Sequence, residues 1–319
     1  MPILDMPLEQ LKTYQGRNPK PKDFDAFWNR ALADLEKVDP SIKFEEGPNL
    51  APFVRCRNLT WSGMGGARIY AKLLEPVNLK TQGPALVQFH GYSMDSGDWS
   101  GYLGYVASGF TVLAMDVRGQ GGQSEDVGGV TGNTLQGHII RGVKDGPEKL
   151  LYRSIYLDCV QLARIAMAME SVDETRVFAT GWSQGGGLTL ACAGLEPRLK
   201  RCAPVYPFLS DYKRVWEMDL AKNAFDEIKT YFKRFDPRHE HEDAFWETLG
   251  YIDVQHLAAR IQCETLMVTG LMDDICPPSI QFAAYNKISA PKQMILYPDF
   301  GHEGLPRAAD SIYQFFTQP

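Results

Sequence analysis

The sequence predicts an α/β fold built on a mostly parallel central sheet flanked by helices, and three observations predict it. Short, uniformly apolar runs at 85–89, 111–115 and 265–269 recur between longer segments of helical period. Strands that are apolar along their whole length suit a sheet buried on both faces, as parallel sheets are. Gly181-Trp182-Ser183-Gln184-Gly185 follows one β-branched run, 175–180, and leads directly into a helix-like stretch at 186–193. Finally, a chain of 319 residues with 44% hydrophobic and 23% charged residues has the length and composition to bury a substantial core.

Each element follows from its local pattern. Residues 23–38 place apolar side chains at helical spacing behind Asp23, which predicts an amphipathic helix. The β-rich runs 53–61 and 67–74 are joined by Ser62-Gly63-Met64-Gly65-Gly66, the composition of a hairpin turn. From residue 84 strands and helices alternate: a strand at 85–89, a segment around 102–107, a strand at 111–115, a long helix at 150–170 and the strand that carries Ser183. Residues 201–206 read as the next strand. From about 208 to 258 the rhythm breaks into a charged, aromatic-rich segment of helical spacing that includes Tyr212, Trp216, Phe232 and Trp246. That is an insertion, which either caps a site or builds a subunit contact, and its aromatics suit packing better than a sugar platform. Strands return at 265–269 and 294–297, and a helix at 305–316 closes the chain. The whole reads as one domain, 1–319, with an N-terminal extension over 1–50.

Composition excludes several classes. A net charge of −6 with no Lys/Arg run offers no nucleic-acid footprint. No run approaches the roughly 18 apolar residues of a membrane span, and the opening residues Met1 to Pro7 lack the basic and apolar regions of a leader. The six cysteines (Cys56, Cys159, Cys192, Cys202, Cys263 and Cys276) have no C-x-x-C spacing, so free buried thiols of a reducing cytoplasm are expected rather than disulfides or a zinc site. Residues 116–124 resemble a dinucleotide loop, but Ser124 stands at the third glycine position. His239-Glu240-His241-Glu242 lacks a spaced third ligand and reads as solvated surface. Neither a metal nor an organic cofactor is expected.

The chemistry is carried by Ser183. Strand, G-x-S-x-G and helix form the nucleophile elbow of an α/β-hydrolase, a tight turn that lifts the serine hydroxyl clear of the sheet. A serine hydroxyl is a weak nucleophile at neutral pH, so it needs a histidine to take its proton and a carboxylate to orient that histidine. In this fold they follow in the order serine, acid, histidine on loops after late strands. Asp273 follows the strand at 265–269, and His302 follows the strand at 294–297. Asp274 competes with Asp273 as the acid; Asp273 is favoured because it lies closer to the strand end. His90-Gly91-Tyr92 follows the early strand 85–89, where the fold supplies one backbone N–H of an oxyanion hole; the other comes from the residue after the nucleophile. Those donors are Tyr92 and Gln184.

At these residues the chain resembles the acetyl xylan esterase and cephalosporin C deacetylase family, the carbohydrate esterases of family seven. The resemblance rests on Arg118-Gly119-Gln120, Gly181-Trp182-Ser183-Gln184-Gly185-Gly186, His302-Glu303, and Gly270-Leu271-Met272-Asp273 leading into Cys276-Pro277-Pro278-Ser279. It implies an esterase that removes acetyl groups from small substrates such as acetylated xylo-oligosaccharides and cephalosporin C. Ser183, Asp273 and His302 would be catalytic, with the Tyr92 and Gln184 amides as oxyanion donors. It further implies that Arg118 braces loops near the site and that the protein is a homo-hexamer, a dimer of trimers. Trp182 stands where the family usually has a small residue, and Ile280 where threonine is common. The same triad also suits longer acyl esters or peptides, and a scaffold that binds without turnover is the reading outside enzymes.

Overall fold

Among the described residues, 4–129 and 134–318 of the computed structural model, nine strands join in one sheet. They are β1 (Lys43–Glu46), β2 (Val54–Ser62), β3 (Arg68–Pro76), β4 (Gly83–Phe89), β5 (Thr111–Asp116), β6 (Val172–Trp182), β7 (Arg201–Val205), β8 (Glu264–Gly270) and β9 (Lys292–Tyr297). Their spatial order is β1-β2-β3-β5-β4-β6-β7-β8-β9. The strands from β5 to β9 run parallel, while β1, β2 and β3 extend the β5 side as an antiparallel ribbon. This is the α/β-hydrolase architecture expected from the sequence. Residues 1–3 of the N-terminal extension lie outside the described residues.

Alternation along the apolar strands sorts side chains between two cores, because successive side chains point to opposite faces. Ala85, Val87 and Phe89 enter one core with Leu113, Met115, Val177, Ala179 and Met267. Leu86, Val112, Ala114, Phe178, Ala203 and Val268 enter the other. The first core is covered by α2 (Phe24–Leu35), α4 (Leu151–Met167) and α5 (Gln184–Leu195), the second by α3 (Leu103–Ala107) and α11 (Ala308–Thr317). The short α1 (Leu8–Leu11) precedes these in the chain.

The segment between β7 and β8 folds as four helices: α6 (Tyr212–Glu217), α7 (Asp226–Phe235), α8 (Glu242–Gly250) and α9 (Val254–Leu257). Its aromatics pack on one another: the Tyr231 and Phe245 rings lie 4.3 Å apart, and Phe225, Phe232 and Trp246 are fully buried. The helix α10 (Pro278–Lys287) follows the β8 loop. The N-terminal extension is tied to this side of the molecule by two carboxylates. Asp5 accepts from the Ser279 N–H at 2.7 Å and pairs with Arg214, and Asp211 accepts from the backbone of Arg17 and Asn18 at 2.8 and 2.7 Å.

Every parallel strand therefore delivers its C-terminal end to one rim, the usual place for a ligand in an open α/β sheet. At the centre of that rim the chain passes from β6 to α5 with almost no clearance. A Cβ on Gly185 would lie 2.1 Å from the Phe89 carbonyl oxygen, and one on Gly181 would lie 2.5 Å from the Gly185 carbonyl carbon. Gly185→Ala is therefore expected to destabilise the protein by about 1–3 kcal/mol, the range for overpacking a close contact. Urea unfolding monitored by tryptophan fluorescence would measure it.

Candidate active site

Ser183 is the residue between β6 and α5, and its backbone sits at φ 58°, ψ −117°. An L-residue holds such a conformation only where its surroundings over-determine it. Here the Ser183 N–H donates to Val205 O at 3.0 Å, and the Ser183 carbonyl accepts from both Gly187 N–H and Phe208 N–H at 3.0 Å. The result is a hydroxyl raised above the rim, at the wall of a cavity of about 680 Å³. Trp182, Tyr206, Phe208, Tyr92 and Ile275 supply the apolar part of that wall, and the insertion contributes Asn223 and Ala224.

The three residues singled out as a triad lie in one hydrogen-bonded line. Ser183 Oγ donates to His302 Nε2 at 3.0 Å, and His302 Nδ1 donates to Asp273 Oδ2 at 2.8 Å. Asp273 is fully buried, and its other oxygen accepts from the Ile275 and Cys276 N–H groups at 2.9 and 2.7 Å. Both carboxylate oxygens are thus satisfied, which fixes the acid and, through it, the ring of His302. Asp274, the competing carboxylate, is exposed. The Tyr206 ring packs 4.4 Å from the His302 ring, and both line the cavity. Such a line can move a proton from the serine to the histidine as the hydroxyl attacks a carbonyl.

Tyr92 lines the same cavity, and Gln184 opens α5 directly after the serine. Among the described residues neither backbone N–H meets an intramolecular acceptor, so both are free for a ligand. The Gln184 side chain faces inward instead. Its amide pairs reciprocally with that of Gln120: Gln120 Nε2 donates to Gln184 Oε1 at 2.8 Å, and Gln184 Nε2 donates to Gln120 Oε1 at 3.0 Å. Tyr152 OH also donates to Gln184 Oε1, and Ser93 N–H to Gln120 Oε1. One buried pair of amides therefore joins the elbow, the loop after β4 and the loop after β5.

Arg118 lies behind this pair, 1% exposed. Its Nε and Nη2 each donate at 2.6 Å to one oxygen of Asp158 on α4, while Nη1 donates to Met64 O at 3.0 Å. His90 is buried, and its desolvation lowers its pKa. Neutral His90 donates from Nδ1 to Gly91 O and accepts the Val117 N–H at Nε2. His239 donates to Glu242 and stacks on Phe232. Among the described residues, the one group of His, Cys, Asp and Glu donors close enough to share an ion is Asp273, Cys276 and His302, within the site itself. Burial pushes the Cys276 thiol well above its ordinary range, so it stays protonated beside the Ser183 hydroxyl.

The buried partners leave no trace in the sequence. Asp158 and Glu227 carry no local signal, since the groups they meet are distant in the chain. Gln120 stood in a recognised motif without an assigned role. Glu227, at the start of α7, accepts from the Ile139 and Ile140 N–H groups at 2.7 and 3.0 Å and from the Tyr92 phenol.

A family model for acetyl xylan esterases matches residues 1–318. Acetyl xylan esterase 1 from Thermoanaerobacterium sp. JW/SL YS485 is 56% identical and superposes with a TM-score of 0.95, covering 98% of this chain and 99% of its own. An acetyl xylan esterase from Paenibacillus sp. R4 is 36% identical with a TM-score of 0.92, again over 98% and 99% of the two chains. The acetyl esterase Axe7A of Xylanibacter ruminicola is 26% identical over 295 residues, or 91% of this chain; the chain spans 64% of that protein's length.

Burial pushes the Glu227 carboxyl up to about 7 from its ordinary 4.5. The folded chain thus keeps a proton there that the unfolded chain releases, so this group's contribution to stability falls as pH rises through about 4.5–7. His138, lowered by burial to about 4, acts in the opposite direction below its ordinary 6.5. Urea unfolding at pH 5 and pH 7.5 should show wild type losing more stability, or gaining less, than Glu227→Gln across that interval; equal changes in the two proteins would contradict the assignment.

Proposed function

Because the chain belongs to the acetyl xylan esterase family, we propose that it is a serine esterase that hydrolyses acetyl esters of small oxygen-linked substrates through an acetyl-enzyme intermediate. The observation that carries this reading is the unbroken line from Ser183 Oγ through His302 to buried Asp273, opening on the cavity. In the proposed reaction, His302 Nε2 takes the Ser183 proton as Oγ attacks the acetyl carbonyl carbon. The developing oxyanion receives the N–H groups of Tyr92 and Gln184, and Asp273 stabilises the imidazolium. His302 then returns the proton to the departing alcohol oxygen. Water, deprotonated by the same nitrogen, releases acetate and restores the serine.

Two features support a small-molecule ester with a ring-shaped alcohol. Trp182 and Tyr206 meet edge-to-face at 5.4 Å beside the serine and leave mainly aromatic surface there. A cavity of about 680 Å³ lies within the ordinary range for small-molecule sites. Acetylated xylo-oligosaccharides and the acetyl ester of cephalosporin C are the substrates we propose, and a hexamer built as a dimer of trimers is the assembly; sedimentation velocity reads the latter directly.

Acetate release should be measured from both substrates, with p-nitrophenyl esters of increasing acyl length alongside. Acetyl is expected to be cleaved with the highest kcat/KM, and butyryl or longer esters turned over equally fast would refute the acetyl preference. Ser183→Ala is expected to lower turnover by about 10⁴-fold or more. Fluorophosphonate should label wild type and leave Ser183→Ala unlabelled; an unlabelled wild type would sink the serine mechanism.

A further inference from the structure

Glu227 is an acid, 4% exposed, that accepts from neutral donors, among them the Tyr92 phenol and the Ile139 and Ile140 N–H groups. Such burial is costly for a carboxylate unless its oxygens are filled, and here donors from two separate segments fill them. One of those segments is the loop after β4. That loop is held at two points on either side of the Tyr92 N–H. On the backbone side, Ser93 N–H donates to Gln120 at 2.8 Å, with Ser93 at φ 61°. On the side-chain side, the Tyr92 ring lies edge-on to His138 at 4.9 Å and to Phe208 at 5.6 Å, and its hydroxyl donates to Glu227 while the Gly137 and His138 backbone N–H groups point at it. Gly91, the residue before it, has no side chain with which to anchor the peptide.

We propose that Glu227 is a positioning residue of the oxyanion hole: carried on the insertion, it holds the Tyr92 phenol and so fixes the Tyr92 N–H opposite Ser183. The inference rests on the reading of that N–H as an oxyanion donor. It gives the insertion a part in catalysis, since the first residues of α7 reach beneath the wall of the cavity to the loop that stabilises the transition state. A carboxylate suits the task better than an amide. Its two oxygens accept all of these donors, whereas a glutamine has one acceptor oxygen and turns two further N–H groups toward donors. Losing an oxyanion donor outright costs on the order of 10²–10³ in rate; a donor displaced but still present should cost less.

The test is a double-mutant cycle on p-nitrophenyl acetate with Glu227→Gln, Tyr92→Phe and the double variant, each normalised by fluorophosphonate titration of active serine. Both single variants are expected to lose about 10-fold in kcat with KM changed by less than about twofold, because the N–H acts on the transition state more than on bound substrate. The double variant should be no slower than the slower single, since both break one link. A purely structural Glu227 would lower the titratable fraction and leave kcat per active serine unchanged, which would overturn the proposal, as would losses that multiply in the double variant. Should Glu227→Gln fail to fold, Tyr92→Phe, which removes a single oxygen, decides alone by its kcat. An inactive wild type would overturn the esterase reading itself, whereas an active wild type matched by both variants would overturn only this inference.

Discussion

Ser183 holds a backbone conformation that costs an L-residue on the order of 1–3 kcal/mol, and the neighbouring structure is arranged around keeping it there. Its N–H is spent on β7 and its carbonyl on Gly187 of α5 and Phe208 after β7, and the glycines on either side admit strands and helix at distances no side chain would permit. Relaxing that turn would drop the hydroxyl toward the sheet, away from His302. The parallel register of β4, β6 and β7 is therefore more than scaffolding: Phe89 pairs with Gly181, and Trp182 with Val205, so the strand ends on both sides of the elbow stop level with it.

Around this point the protein places buried polar pairs where a simpler fold would have apolar packing. The reciprocal amides of Gln120 and Gln184 and the fork of Arg118 on Asp158 both cross between segments remote in sequence. A buried ion pair adds little net stability relative to a well-packed apolar substitute. What these pairs supply is direction: an amide or guanidinium fits its partner in few orientations, whereas an aliphatic contact tolerates sliding. Loops that must present N–H groups within tenths of an ångström of a reacting oxygen gain from that restriction.

The sequence made the sheet legible because its buried strands are apolar throughout and its connections carry turn chemistry. Strand 85–89, the hairpin of β2 and β3, the long α4 and the strand before Ser183 all fall where the pattern put them, within a few residues. β1 escaped notice because Lys43-Phe44-Glu45-Glu46 is exposed along its whole length and has no apolar face to give it a period. The positions of Ser183, Asp273 and His302 after late strands were readable, since chain order constrains them. Glu227, Asp158 and the pairing of Gln120 were not, for each is defined by what it meets across the fold, and periodicity carries no record of that. Between Asp273 and Asp274 the strand end favours the first, and the fold agrees, because only that one of the two adjacent side chains turns inward.

His302 rides on the loop after β9, and β9 is the outermost strand on its side, paired only with β8 and with no fully buried residue. The proposed proton acceptor of the site is thus mounted behind a half-buried edge strand rather than on the fully buried centre of the sheet. That placement makes fraying of a single edge strand enough to part the line from Ser183 to Asp273, while the rest of the sheet stays paired.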